Sequence, residues 1–310
     1  MVAGPIIRPA HFFPQLKGRP VPSRGQIGWG MVQIMKGLIK KTVFADNFAI
    51  VANSYFNGQG HGDMGAAWVA TLAFSMQIYF DFSGYTDIAR GCARLLGYEF
   101  PTNFERPYLA RSIAEFWHQW HISLSTWLRD YLYIPLGGSR SGSGRTYVNL
   151  IITMGLGGLW HGASWNFVIW GLYHGVLLAV HRAWSQWRGP AVRPVNPVGS
   201  ASGVALTFIL VTLGWVTFRA PDFAVTWKVL TDLFAGSIQR VEAPMTFYVL
   251  LAISVIWLAI DRRRRLQIWM SEGAGILGTL KVSGAMALAL LVLELFSRTD
   301  IAVPFIYFQF

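Results

Sequence analysis

One cysteine, Cys92, stands alone in 310 residues. An internal disulfide is therefore excluded, and so is a cysteine-rich metal site. Charge is also scarce. Only 13% of residues are charged, against about a quarter in soluble domains. Acidic residues are the rarer sign, 15 against 26 basic, for a net charge of +11. No cleavable leader is visible, because prolines interrupt residues 1–26 and no apolar stretch there is long enough for one. What the chain does have is apolar surface: 53% hydrophobic residues and a mean hydropathy of +0.40. These values argue against a disordered chain, a nucleic-acid-binding domain and an ordinary cytosolic enzyme. They favour a protein whose solvent is largely lipid.

The distribution of charge supports that reading. Basic residues cluster between apolar runs, as in Arg262–Arg265, which suits loops facing an anionic cytoplasmic leaflet. Fourteen Trp and eleven Tyr suit interfacial belts. Charge-free runs at Met64–Phe80, Val204–Phe218, Met245–Ile260 and Val282–Phe296 are each near the length of a membrane helix and read as helices. In the last, Glu294 is expected to pair with a basic side chain. The run Thr146–His181 is too long for one span, because a straight helix of that length measures roughly 54 Å. Its glycine-rich middle, Gly155 to Gly162, predicts a break, and His161 is expected to face protein interior or a cavity. Ile27–Asn53, with Lys36, Lys40 and Lys41, reads as a partly buried or interfacial helix. Ser112–Ile134 is helical by period but too polar to face lipid throughout, and reads as re-entrant or internally packed. Pro135–Ser139 ends it, Arg140–Arg145 is expected to be a basic loop, and Gly189–Gly203 a connection.

Three groups are candidates for chemistry, because ionisable side chains in apolar segments are costly. His161, in Trp160-His161-Gly162, can serve as a general base or as a structural histidine bonded to a helix carbonyl. His118 and His121 lie three apart, on one face of a continuous helix. That spacing can supply half a metal site, completed by Asp130 or His161, although a packed polar helix face is the simpler account. Asp81 and Asp87, among Ser83, Tyr85 and Thr86, can line a polar path. They can equally cap helices and pair with Arg90 or Arg94. His174 and His181 have only their apolar context to recommend them.

Longer motifs carry a resemblance. The run NFERPYLARSIAEFWHQWHISLSTWLRDYLYIPLGGS from Asn103 to Ser139 resembles the signature of the membrane-bound O-acyltransferase family, in particular its bacterial alginate O-acetylation branch. GLWHGASWNFVIWGLYHG at 158–175 is similar to the family's histidine motif. AGPIIRP near the start, YFDFSGYTDIARG at 79–91 and the terminal PFIYFQF agree with it.

The resemblance implies an all-α, polytopic integral membrane bundle with re-entrant or broken helices around a central tunnel. It covers residues 1–310 as a single membrane domain, the C-terminal part of the usual family chain. It also implies a multi-pass protein of the bacterial inner membrane. The activity implied is acetyl transfer from a cytoplasmic thioester donor, acetyl-CoA, to a hydroxyl on an extracytoplasmic acceptor during exopolysaccharide O-acetylation. An extracytoplasmic partner protein finishes the transfer. No bound cofactor, metal or nucleic acid is implied. The family's catalytic histidine maps to His161, and the second position to His121. Trp120, Ser125, Asp130, Trp160 and Asn166 are the expected substrate contacts, while Arg129 and Tyr131 are expected at the cytoplasmic mouth. D-alanyl transfer to teichoic acid, a transporter or pore, and an inactive scaffold are the competing readings.

Overall fold

The structure is a computed structural model that describes residues 4–18, 20–59, 61–189, 197–237, 243–260, 276–296 and 305–306. Among these residues the chain is helical, and the only β feature is an isolated bridge between Asp63 and Ser237. The helices are α1 (Pro9–Leu16), α2 (Arg24–Leu38), α3 (Asp46–Phe56), α4 (Met64–Leu95), α5 (Ile113–Gln119), α6 (Ile122–Leu128), α7 (Gly142–His161), α8 (Trp165–Arg188), α9 (Pro197–Arg219), α10 (Phe223–Ala235), α11 (Met245–Ile260) and α12 (Ile276–Phe296). Wider π-type turns at Ile39–Ala45 and Arg129–Tyr133 join α2 to α3 and extend α6. The chain divides into two compact units, one of residues 1–50, 76–103 and 244–309, the other of residues 51–75, 104–243 and 310.

The first unit is built on a close crossing of α2 and α4. Gly37 faces Gly84, and Gly30 faces Gly91. A Cβ on Gly37 would lie 2.6 Å from the Gly84 carbonyl oxygen, and one on Gly91 would lie 2.6 Å from the Gly30 oxygen. Small residues one heptad apart thus let two backbones touch. The π-type turn then turns two consecutive lysines inward. Lys40 Nζ lies 2.7 Å from Asp87, and Lys41 Nζ lies 2.8 Å from Asp46 and 2.9 Å from Asp81. Asp81 also accepts the Ile306 N–H at 2.9 Å.

The two aspartates therefore do not cap helices. They sit inside α4 and neutralise lysines. Arg90 donates to the Phe100 carbonyl, and Arg94 pairs with Glu99 at 2.8 Å. An ion buried this well needs a partner in contact, and the neighbouring segment supplies two buried lysines. Glu294 is exposed on α12. The Arg262–Arg265 run lies outside the described residues, and only Phe305 and Ile306 of the terminal motif are described.

In the second unit α7 and α8 form an antiparallel hairpin, and α9 packs on α8. The long charge-free run does break, at Gly162–Ser164, just after its glycine-rich stretch. Ser164 caps α8 by accepting the Asn166 N–H at 3.3 Å. Glycines seat the hairpin: a Cβ on Gly175 would meet the Ile151 Cα at 2.7 Å, and one on Gly158 would strike the Phe167 carbonyl. The expected basic loop is shorter than predicted, because α7 begins at Gly142.

The outward stripe of α7, Val148, Ile152, Leu156 and Leu159, is exposed and apolar. That inverted pattern suits lipid rather than water. By length and composition, Gly199–Arg219 is the one described helix long and apolar enough to cross a membrane. Met245–Leu258 and Ser283–Phe296 are shorter apolar helices.

Candidate active site

Ser112–Ile134 is not one continuous helix. It stops at Gln119, and His121 takes a left-handed backbone conformation, φ 42° and ψ 54°, before α6 begins. Only His121 and Arg106 among the described non-glycine residues have positive φ. For a histidine this costs about 1–3 kcal/mol, and such strain gathers at functional sites. The break is held by local bonds. The Gln119 carbonyl accepts the Glu105 N–H at 2.9 Å. Ser125 Oγ donates to the Trp120 carbonyl at 3.0 Å, and the Ser125 N–H bonds the His121 carbonyl at 2.9 Å. Orphan carbonyls at the end of α5 are thereby satisfied without glycine or proline.

The kink separates the two histidines that the helical period placed on one face. His118 is exposed on α5, whereas His121 is buried at 1% exposure. Among the described residues no group of three His, Cys, Asp or Glu side chains is placed for a metal ion.

His161 is the last residue of α7 and is partly accessible. Its ring is walled by aromatics: Trp160 at 5.0 Å, Trp170 at 5.1 Å and 90°, Phe218 at 5.1 Å, and Phe167 at 6.3 Å. The Trp160 ring also meets His121, at 6.1 Å. Two imidazoles 40 residues apart in sequence thus share one indole.

The other expected contacts are distributed more widely. Trp120 is core, packed among Phe104, Tyr108, Phe116 and Trp215. Ser125 holds the kink. Asp130 pairs with Arg129 at 2.7 Å, and Tyr131 is exposed and lies 5.3 Å from Trp127. Asn166 is buried and donates to the Ala220 carbonyl at 2.9 Å, tying α8 to the end of α9.

Trp170 and Phe218 line the histidine but were not singled out from sequence. Trp215 and Phe218, three apart in an apolar run, were the available signal of an inward aromatic face on α9.

The profile of the membrane-bound O-acyltransferase family matches residues 1–220. The chain belongs to the membrane-bound O-acyltransferase family. It is therefore a membrane protein, and both histidines lie inside the matched region. The chain is 44% identical over 236 residues to the probable alginate O-acetylase AlgI of Azotobacter vinelandii, covering 76% of this chain and 46% of that protein. It is 38% identical over 330 aligned residues to the probable alginate O-acetylase AlgI of Pseudomonas putida, covering 100% of this chain and 66% of that one. It is 41% identical over 236 residues to the peptidoglycan O-acetyltransferase of Helicobacter pylori, covering 75% and 44%. The chain thus spans between about half and two-thirds of these relatives' lengths.

Proposed function

We propose that the chain is the catalytic part of a membrane O-acetyltransferase that modifies an exported polysaccharide of the alginate type. The names of its relatives support acetyl transfer to a hydroxyl. The observation that carries the mechanism is the pairing of His161 and His121 across Trp160, each supplied by a different interruption of helix.

In this mechanism His161 takes the proton of the acceptor hydroxyl as its oxygen attacks the carbonyl carbon of the acetyl thioester. A ring N–H of His121 donates to the oxyanion that develops. The carbon–sulfur bond then breaks, and the proton held by His161 passes to the departing thiolate. The products are an acetyl ester and a free thiol. The aromatic wall of Trp160, Phe167, Trp170 and Phe218 keeps bulk water from the thioester. Acetyl-CoA is the donor in this reading, arriving from the cytoplasm. The acceptor comes from the opposite side of the inner membrane, with an extracytoplasmic partner completing the modification. The fold that goes with it is a multi-pass bundle around a central tunnel, one membrane domain in all.

The test replaces His161 by Gln in the chain reconstituted with labelled acetyl-CoA and a soluble alcohol acceptor. Loss of a general base lowers transfer by about 10²–10⁴-fold, with membrane insertion unchanged. His118→Gln, three residues from the kink and exposed, leaves transfer within about twofold, as surface changes do. Transfer that survives His161→Gln overturns the base assignment and returns the transport reading.

A further inference from the structure

Behind Trp170 lies a second group of polar side chains that the acyl-transfer mechanism does not use. Trp117 of α5, Trp170 and His174 of α8, and Trp215 of α9 are buried, at 8%, 2%, 0% and 1% exposure. Their rings form one cluster. His174 lies 5.0 Å from Trp170, 5.2 Å from Trp117 and 6.4 Å from Trp215. Trp170 lies 5.7 Å from Trp117 and 5.8 Å from Trp215.

Among the described residues, the three indole nitrogens and both imidazole nitrogens of His174 have no hydrogen-bond partner. Each such group left unpaired costs about 1–3 kcal/mol. An apolar aromatic ring would carry no such cost. Gly214 of α9 packs directly against the imidazole, because a Cβ there would come within 2.9 Å of His174 Nε2.

The chemistry of the group restricts what it can take. Indole is a donor and never an acceptor, so three N–H groups call for oxygen acceptors. The further ring neighbours are Phe116, Trp120, Tyr173 and Phe218, none of them charged at neutral pH. A phosphate or carboxylate would be left unneutralised there, at a prohibitive desolvation cost. The cluster begins one ring from His161.

We propose that Trp117, Trp170, Trp215 and His174 form a binding site for a neutral oxygen-bearing group of the substrate, a carbonyl or a hydroxyl, beside the reacting centre. The proposal rests on the acyl-transfer reading for the identity of that substrate. The group belongs either to the amide-rich arm of the thioester donor or to the alcohol acceptor. The indole N–H groups bond it, and His174 bonds it as donor or acceptor.

The test uses the whole chain in lipid nanodiscs, with ¹⁵N-labelled indoles assigned by Trp→Phe variants. S-acetylpantetheine probes the donor source and methyl α-D-mannopyranoside the acceptor source. Binding of S-acetylpantetheine is expected to move at least two of the three indole N–H resonances downfield. Trp170→Phe and Trp215→Phe are each expected to weaken it about tenfold, the loss of one buried hydrogen bond, in variants that still unfold in one cooperative thermal transition. The same shifts with the glycoside alone support the site and assign its guest to the acceptor.

Resonances that stay in place with both probes, or Trp→Phe variants that bind as tightly as the unaltered chain, overturn the proposal and leave water as the only guest. Failure of the parent reading is distinct. It shows as absent acetyl transfer, or transfer that survives His161→Gln, with the indole shifts intact.

Discussion

Gly158→Ala tests whether the α7–α8 hairpin sets the position of His161. Gly158 lies three residues before that histidine. A methyl there would strike the Phe167 carbonyl oxygen and sit 3.0 Å from the carbonyl carbon and 3.3 Å from the Gly171 Cα. Every one of these obstacles is backbone, so no side chain can rotate away. Restoring carbon contacts of about 3.5–4.0 Å parts the helices by on the order of 1 Å. Overpacking of this kind costs about 1–3 kcal/mol, and a displacement of ~1 Å at a reacting group costs about 10²-fold in rate. Gly144 is the control, because it lies on the same helix and a Cβ there meets nothing within 4 Å. Gly144→Ala gains helix propensity of up to about 1 kcal/mol and leaves transfer unchanged. The assay is acetyl transfer in nanodiscs beside thermal unfolding in detergent. If Gly158→Ala matches the unaltered chain in both, the hairpin does not position His161 and the reasoning fails.

His121→Gly keeps the left-handed backbone at φ 42° free of strain and removes the ring N–H. Transfer falls by about 10²–10³-fold, the loss of one oxyanion donor; an unimpaired rate would dismiss that role. Lys40→Met takes the Lys40 ammonium away from buried Asp87 and costs about 3–5 kcal/mol, whereas Lys40→Met with Asp87→Leu recovers most of it. Denaturant titration of both variants decides this, and equal losses would contradict it. Asp232 gives a pH dependence. Burial raises its carboxyl, but the Lys228 ammonium at 2.8 Å, the Gly62 N–H and the Tyr55 hydroxyl at 2.7 Å outweigh that and hold it below the ordinary 3.8. Its stabilising contribution is therefore full above the unfolded value of 3.8 and is lost as pH falls through the lower folded value. Asp232→Asn is less stable by about 1–3 kcal/mol at pH 7, and melting curves of the two chains converge in acid; a constant gap down to pH 2 would refute the pairing.

Much of the helical framework was legible because helices set in apolar surroundings, lipid or protein, are long, apolar and nearly free of charge. The runs beginning at Met64, Val204 and Met245 fall within α4, α9 and α11, and the last run lies in α12. The break after His161 was legible for a related reason, since glycine density weakens a helix locally. The break at Trp120–His121 was not. Nothing in HQWHIS departs from helical period, and no glycine or proline marks the stop. The kink exists because Glu105 and Ser125 bond the carbonyls of Gln119 and Trp120. The inward lysines were missed in the same way. A lysine in an amphipathic pattern reads as solvated until a carboxylate from another helix is found 2.7 Å from it.

By itself the sequence determined the solvent, the helical class and the family, because those follow from composition, from periods of a few residues and from motifs read in order. It also named His161 and His121. Only the tertiary structure decided that these two imidazoles meet at one indole while His118 does not join them. It likewise decided that an unused histidine sits among three indoles behind the site. Such juxtapositions join residues tens of positions apart, and they depend on the backbone separation that individual glycines permit, which no local period encodes.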